Sequence, residues 1–321
     1  MAEQKQYRFG IDAGGTKVAY GLFDQEGTLI DRAEHPSRRT DDGPAFADCM
    51  IRTVKEMTER NGLSKEQILG VGVGMPSYII YDKGYIYLTS ALENVKDFYM
   101  RDYMQERLSL PVLLDNDSNI AALAESRKGA GRGEKHMVYM AVSTGIGTGI
   151  IINGELFRGS YGFAGEAGHM IATPDDGLYC GCGNRGCFMS WASGQNVPRH
   201  ARIRMEKGLD GGAVSLLSQT DPGKLSGVEI LDACKKGDPL ALELLDQMAK
   251  YIGVCVYNVY EMLNIKTFVF GGGLTAFGDL LFDRVRAVFD GYNHIKDFPV
   301  DFRFAGLKKD YGIIGAAELL V

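Results

Sequence analysis

No apolar run in this chain reaches the ~18 residues that a membrane-spanning helix needs. Residues 1–8 are polar and lack the apolar core of a secretory signal, which points to a cytoplasmic address. Basic clusters are missing as well. Lys and Arg number 35 against 41 Asp and Glu, the net charge is −6, and the cations are scattered. Tight nucleic-acid binding wants a basic stripe, so that class of partner is not expected. A disulfide framework is also missing. Three of the six cysteines, Cys49, Cys234 and Cys255, stand alone in helix-like segments. What remains is an ordinary soluble composition, 45% hydrophobic and 24% charged. A length of 321 residues allows about two domains on a prior of ~150 residues each.

Glycine is abundant. The 42 glycines are nearly twice the ~7% usual in proteins, and they gather after strand-like runs, where bare backbone N–H groups can approach a ligand. Residues 7–12, 18–23 and 28–33 read as a strand meander, followed by a helix to about Arg60 with Asp42 and Pro44 at its start. Strands are predicted at 68–74 and 112–115, and a helix at 120–127. The second half repeats the plan: a strand at 137–142, a glycine-rich turn over 143–149, its return at 149–152, and the hairpin dipeptide Asn153-Gly154. Helices at 228–236, 239–263, 280–292 and 313–321 and strands at 267–270 and 300–305 complete it. Residues 207–227, with Gly211-Gly212 and Pro222-Gly223, read as a surface loop. Two similar α/β halves, each opening with strand, glycine turn and strand, predict a cleft between two domains.

Five segments could carry chemistry. Glu166, Ala167, Gly168 and His169 precede Cys180, Cys182 and Cys187; one imidazole and three thiols make a tetrahedral set for structural zinc, with Glu166 near enough to take sugar hydroxyls. A redox Cys-x-Cys pair is the lesser alternative. Asp12, Gly14, Gly15, Thr16 and Lys17 form a turn whose N–H groups could hold phosphate while Asp12 holds water around magnesium; the alternative is a plain β-turn that needs glycine for positive φ. Its spacing is not that of a Walker loop. Thr144, Gly145 and Gly147 form a second turn of the same kind. Gly272 and Gly273 would let a flat ring lie on backbone, or make a tight strand-to-helix turn. Asn116 and Asp117 follow a strand: Asp117 could accept a proton from a hydroxyl and Asn116 could bind a polyol, against a reading in which Asp117 or Ser118 caps the next helix.

Taken together, these segments resemble the ROK family (repressor, open reading frame, kinase) of the sugar kinase/actin/Hsp70 superfamily, over residues 9–317. The Glu-x-Gly-His and cysteine combination is the specific part; the glycine turns are more widely shared. The resemblance implies an α/β, two-domain actin-like (ribonuclease H-like) ATPase fold with a cleft, lobes of 1–117 plus about 306–321 and of 118–305, and a homodimer. It implies ATP-dependent phosphorylation of a hexose, usually at the 6-hydroxyl, with Mg²⁺ accompanying ATP. Asp117 would match the general base. Asn116, Glu166 and His169 would match sugar-side residues, and His169, Cys180, Cys182 and Cys187 the zinc ligands. The two glycine turns would hold the phosphates, and Gly272-Gly273 would lie near the adenosine. Three positions depart from the family pattern: Met189 replaces a sugar-binding glutamate, Ala91 stands where an asparagine is usual unless Asn94 shifts into register, and Ser77 replaces a glycine. The sugar side is therefore altered, and glycosides, N-acyl sugars and less common hexoses stay open as acceptors. A non-catalytic sugar sensor or regulator is the competing expectation.

Overall fold

The computed structural model describes residues 6–209 and 215–321; Gly211 and Gly212 of the expected surface loop lie outside the described residues. Contacts divide the chain into two compact units. One comprises Met1–Tyr139, Gly149–Gly165 and Ala305–Val321, the other Met140–Thr148 and Glu166–Phe304. The expected limits of 1–117 plus 306–321 against 118–305 are kept as a proposal for the functional lobes. Grouped by contact, the helix after residue 116 goes with the first unit.

The first sheet runs β3 (Leu29–Pro36), β2 (Lys17–Phe23), β1 (Tyr7–Ala13), β4 (Ile68–Met75), β7 (Val112–Asn116). β1, β2 and β3 are an antiparallel meander, and β4 and β7 continue in parallel. The second sheet repeats this order with β10 (Glu155–Leu156), β9 (Ile146–Ile152), β8 (Met137–Val142), β11 (Thr267–Gly271) and β12 (Asp301–Phe304). The repeat expected from the sequence is therefore present.

β1 and β4 are buried on both faces, and their two faces differ in kind. Phe9, Ile11, Val71, Val73 and Met75 join the core with Phe46, Met50 and Met57 of α1 (Gly43–Arg60) and Met100 and Met104 of α2 (Met100–Leu108). The alternate residues, Gly10 and Gly72, carry α9 (Tyr311–Glu318) instead. A Cβ on Gly10 would lie 1.9 Å from Ile313 O, and one on Gly72 would lie 1.7 Å from Ala316 O. On the same face of β1, Arg8 makes a buried 3.0 Å ion pair with Glu318, and Asp12 rests against Gly312. Arg127 reaches the other oxygen of Glu318 at 3.2 Å from α3 (Asp117–Lys128). Glu125, also on α3 and buried, accepts from the N–H groups of Ala130, Gly306 and Leu307 at 2.7–2.9 Å, which ties the irregular segment preceding α9 to the end of α3.

Helix starts follow the expected chemistry. Asp42 caps α1 through Ala45 N–H, with Pro44 in the first turn. Ser226 and Glu229 form a capping box on α6 (Gly227–Lys235), and Asp238 with Pro239 opens α7 (Pro239–Leu263). Five elements lie outside the expected set: the hairpin strands β5 (Ser77–Ile80) and β6 (Tyr85–Thr89), and helices α2, α4 (Phe188–Ala192) and α5 (Val197–Glu206). α3 starts three residues before its expected limit, and β9 starts at Ile146 rather than 149. Among the described residues no helix is long and apolar enough to cross a membrane.

The close approach of α9 makes a direct prediction. Gly72→Ala forces a methyl into a backbone carbonyl and should destabilise the protein by at least ~1–3 kcal/mol. Gly291→Ala, in α8 (Asp279–Tyr292) with nothing within 4 Å of its Cβ position, should leave stability unchanged or raise it by ~0.4–1 kcal/mol. Denaturant midpoints measured on both variants decide it, and equal midpoints would refute the packing account.

Candidate active site

In the first unit the parallel register of β1, β4 and β7 brings Asp12, Gly74 and Asp115 level, so Asp12 and the Asn116-Asp117 pair share the carboxyl end of the sheet. Ligands of open α/β sheets bind at that end. The cap of α3 is Asn116, neither Asp117 nor Ser118. Asn116 Oδ1 accepts from Ser118 N–H at 2.8 Å, and its Nδ2 donates to Ser77 O at 3.2 Å. This capping is why α3 begins early and why Asp117 is its first residue. Asp117 Oδ1 also accepts from Ser118 N–H at 2.8 Å. Asp115 is a structural neighbour: it is buried, paired with Arg158 at 2.8 Å and bonded to Asn119 at 2.7 Å.

Asp12 and Asp117 are both held above the ordinary carboxylate range. Burial first and the charge of Asp117 second, opposed by Lys17, bring Asp12 up to about 6. Burial raises Asp117 against the N–H bond from Ser118. Tyr311, at the start of α9, senses both carboxylates, and its phenol is raised by burial and by their charges. Nothing in the sequence places Tyr311 here, because it is nearly three hundred positions from Asp12.

The first glycine turn closes with Gly14 N–H to Lys17 O at 3.0 Å. Neither Gly14 nor Gly15 has positive φ, so backbone handedness is not why glycine stands there. Gly15 instead abuts Ala91, whose Cβ would be 2.6 Å from a Cβ at position 15. Thr16 is exposed. Lys17 is also exposed and turns to Glu34 across the β2–β3 pair at 2.9 Å. Asn94 donates to Thr40 O at 3.0 Å.

The second unit assembles the other segments. The turn between β8 and β9 is only residues 143–145, since Gly147 already lies within β9. Gly145 faces Met189, whose Cε would be 2.8 Å from a Cβ there. Ser143 O accepts from Gly194 N–H at 2.7 Å and Thr144 O from Gln195 N–H at 3.2 Å. Gly272, with φ +88°, packs on Val142 O and Ser143, and Gly273 opens a short 3-10 turn, so the pair does make a tight turn out of β11. Residues 194–195 were missed; the Ser193-Gly194 dipeptide was the available signal. Glu166 and His169 bracket a 3-10 turn whose Gly168 rests on Ile146 O, beside that glycine turn.

The four expected metal ligands come together, with one donor atom from each within 4.8 Å of the others. Around zinc, bond lengths of about 2.3 Å to sulfur and about 2.0–2.1 Å to nitrogen place neighbouring donors about 3.5–3.8 Å apart in a tetrahedron. Cys182 Sγ and Cys187 Sγ are 3.7 Å apart, and Cys180 Sγ and His169 Nδ1 are 3.5 Å apart. The residues fit the ion. His169 Nδ1 faces the thiols, while Nε2 faces Glu166 Oε2 at 3.8 Å. Burial lowers the His169 pKa, favouring the neutral ligand form. Gly186, with φ +73°, makes the turn into Cys187 possible: its Cβ would strike Thr173 O at 1.8 Å. Cys187 then caps α4, which carries Met189.

Residues 8–321 match the sequence model of the ROK family. The chain belongs to the ROK family. It is 34% identical to a glucokinase of Halalkalibacterium halodurans over 97% of this chain and 94% of the relative. Among solved structures, a ROK family glucokinase from Streptomyces griseus in complex with glucose and AMPPNP superposes with a TM-score of 0.78, at 31% identity and 98% coverage of both chains. A ROK hexokinase from Thermus thermophilus gives 0.81 at 29% identity, covering 98% of this chain and 97% of the other. The α/β architecture of this ROK protein is thus the two-domain actin-like fold of those kinases.

Two outcomes follow from the site chemistry. The purified ROK protein should carry about one zinc per chain by elemental analysis, and Cys187→Ser should lose the metal and lower the melting temperature; a metal-free wild type after zinc replenishment would refute the set. The second outcome is a pH effect on stability. Because the Asp12 pKa is raised from 3.8 to about 6 on folding, its contribution is most favourable below about pH 4 and is lost as pH rises through about 6. Asp12→Asn should remove that loss, gaining on the order of 1–3 kcal/mol over wild type at neutral pH and nothing near pH 4. Stability curves that run parallel from pH 4 to 8 would contradict the raised pKa.

Proposed function

We propose that this ROK protein is an ATP-dependent sugar kinase in which Asp117 is the general base toward a hexose or hexose derivative, at the 6-hydroxyl. The observation that carries the reading is the Asp117 carboxylate itself. It is half-buried, raised above the ordinary range by loss of water, and set at the carboxyl end of β7 beside Asn116. A base with a raised pKa accepts a hydroxyl proton more readily, provided it stays ionised at neutral pH. Asn116 holds the acceptor sugar, with Glu166 and His169 nearer its other end. The acceptor oxygen attacks the γ-phosphate of ATP in line, and charge on the phosphate oxygens is met by the backbone N–H groups of the two glycine turns.

Gly14, Gly15, Thr16, Thr144 and Gly145 supply those turns in this reading, and Gly272-Gly273 lies near the adenosine. In the same reading Lys17 reaches phosphate only by leaving Glu34, and Gly147 backs the turn from within β9. The hard oxygens of Asp12 and Asp117 suit magnesium; burial first and repulsion from Asp117 second disfavour the Asp12 charge, and a divalent cation would offset both. Asp12 would hold it through water, and when bound with ATP it neutralises phosphate charge. Zinc has a structural part only. Methionine at 189 cannot accept a hydroxyl hydrogen bond with useful strength, and a buried hydroxyl left unpaired costs ~1–3 kcal/mol, so the acceptor need not be glucose. A cytoplasmic homodimer without nucleic-acid partners belongs to the same proposal. The net charge of −6 supports the last point, and the exposed Met262 and Tyr292 offer apolar surface for a second copy.

Met189 also favours one rival, a sugar sensor that has lost catalysis. ADP release measured over a panel of hexoses and derivatives separates the two. Asp117→Ala should lower kcat about a hundred- to ten-thousand-fold while circular dichroism and ATP binding stay near wild type. Turnover within a few-fold of wild type would remove Asp117 as the base. Absence of ADP release with every sugar would favour the sensor.

A further inference from the structure

One pocket of the first unit is unused by the kinase chemistry. It opens between β2, the residues that follow β3, and α1, and its cavity of about 410 Å³ falls in the ~300–1,000 Å³ range of small-molecule sites. Phe46 and Met50 line it with buried apolar surface. Two guanidiniums converge at its polar side: Arg38 Nη1 lies 3.8 Å and Arg52 Nη2 3.5 Å from Cys49 Sγ. A thiol is a weak acceptor. The nearest carboxylates, Asp41 and Glu56, stand 3.9 and 4.0 Å away, beyond hydrogen-bonding distance. Two cations drawn to one thiol repel each other, and a bridging anion reverses the sign of that interaction. Guanidinium forks match phosphate oxygens bidentately. Ser37 Oγ lines the same pocket and is buried without a partner. A buried hydroxyl in that state is unfavourable, and a ligand hydroxyl would satisfy it.

We propose that this pocket binds a hydroxyl-bearing phosphate monoester, with Arg38 and Arg52 on the phosphate and Ser37 on a hydroxyl. The site is separate from the acceptor and nucleotide residues assigned above, and does not depend on that assignment. It is nevertheless placed to be felt there. Ser37 N–H donates to Thr16 O in the first glycine turn at 2.9 Å, and its neighbour Pro36 is the strand partner of Lys17.

Cys49 is a reporter already in place, a half-buried free thiol on the pocket wall. Its alkylation by iodoacetamide can be followed by peptide mass spectrometry on the full-length protein. Glucose 6-phosphate, inorganic phosphate and glucose are compared at matched ionic strength, and rates with and without ligand are taken as a ratio within each variant. Glucose 6-phosphate should slow Cys49 alkylation saturably, about tenfold when its concentration is about ten times Kd, and glucose should not. Arg52→Gln, a change at an exposed side chain, should abolish the protection, while Arg204→Gln in the second unit should keep it. Protection by inorganic phosphate alone would assign the pocket to the free ion and overturn the monoester. Protection by glucose, protection that survives Arg52→Gln, or no protection by any of the three into the millimolar range would overturn the site.

Discussion

The seating of α9 on the glycine face of β1 and β4 is the constraint on which the first unit depends. A strand alternates its side chains with period two, and here one set builds the core with α1 and α2 while the other set is reduced to Gly10 and Gly72 so that a helix backbone can lie directly on the sheet. The residues at the two ends of that face are not glycine. Arg8 at one end makes the buried pair with Glu318, and Asp12 at the other meets Gly312. Burying that ion pair is not by itself stabilising, but losing either partner would leave a charge stranded in the interior. Arg127 and Glu125 extend the same arrangement into α3, so the helix that carries Asp117 and the helix that faces Asp12 are held by one set of contacts.

The electrostatics of the two carboxylates follow from that packing. Asp12 and Asp117 are raised mainly because burial removes water, and Asp12 additionally because Asp117 is close. Such a pair is poorly stable when fully ionised and is the kind of environment that tunes acids and bases for chemistry. The fold stores an unfavourable interaction at the carboxyl end of its parallel strands, and a bound cation would relieve it.

The second unit organises its site differently, around a metal set rather than a helix-on-sheet contact. Cys187 is at once a ligand and the residue that starts α4, and α4 delivers Met189 to Gly145. Trp191, on the same helix, is stacked between His200 and Tyr251 and donates to Thr173 at 2.9 Å, which fixes α4 against α5, α7 and the loop leading to the cysteines. The zinc set and the second glycine turn are thus joined through about one turn of helix, so order at the cluster is order at the turn.

Elements whose signals are local could be read from the amino-acid order alone. The meander of β1–β3, the capped starts of α1, α6 and α7 and the metal set were legible because alternation, capping residues and ligand spacing are properties of neighbouring positions. The hairpin of β5 and β6 and helix α2 carry local signals as well: aromatic and β-branched residues around Asp82-Lys83-Gly84, and Met100, Met104 and Leu108 at helical spacing. Other facts existed only in three dimensions. Asn116 rather than Asp117 caps α3 because Ser77 O holds its amide. Lys17 turns to Glu34 because β3 lies beside β2. The glycines of β1 and β4 take their meaning from α9, which comes from the far end of the chain to lie on them. Tertiary structure decided these points for one physical reason: the partner that fixes each group is distant in sequence, and neither periodicity nor capping carries information about it.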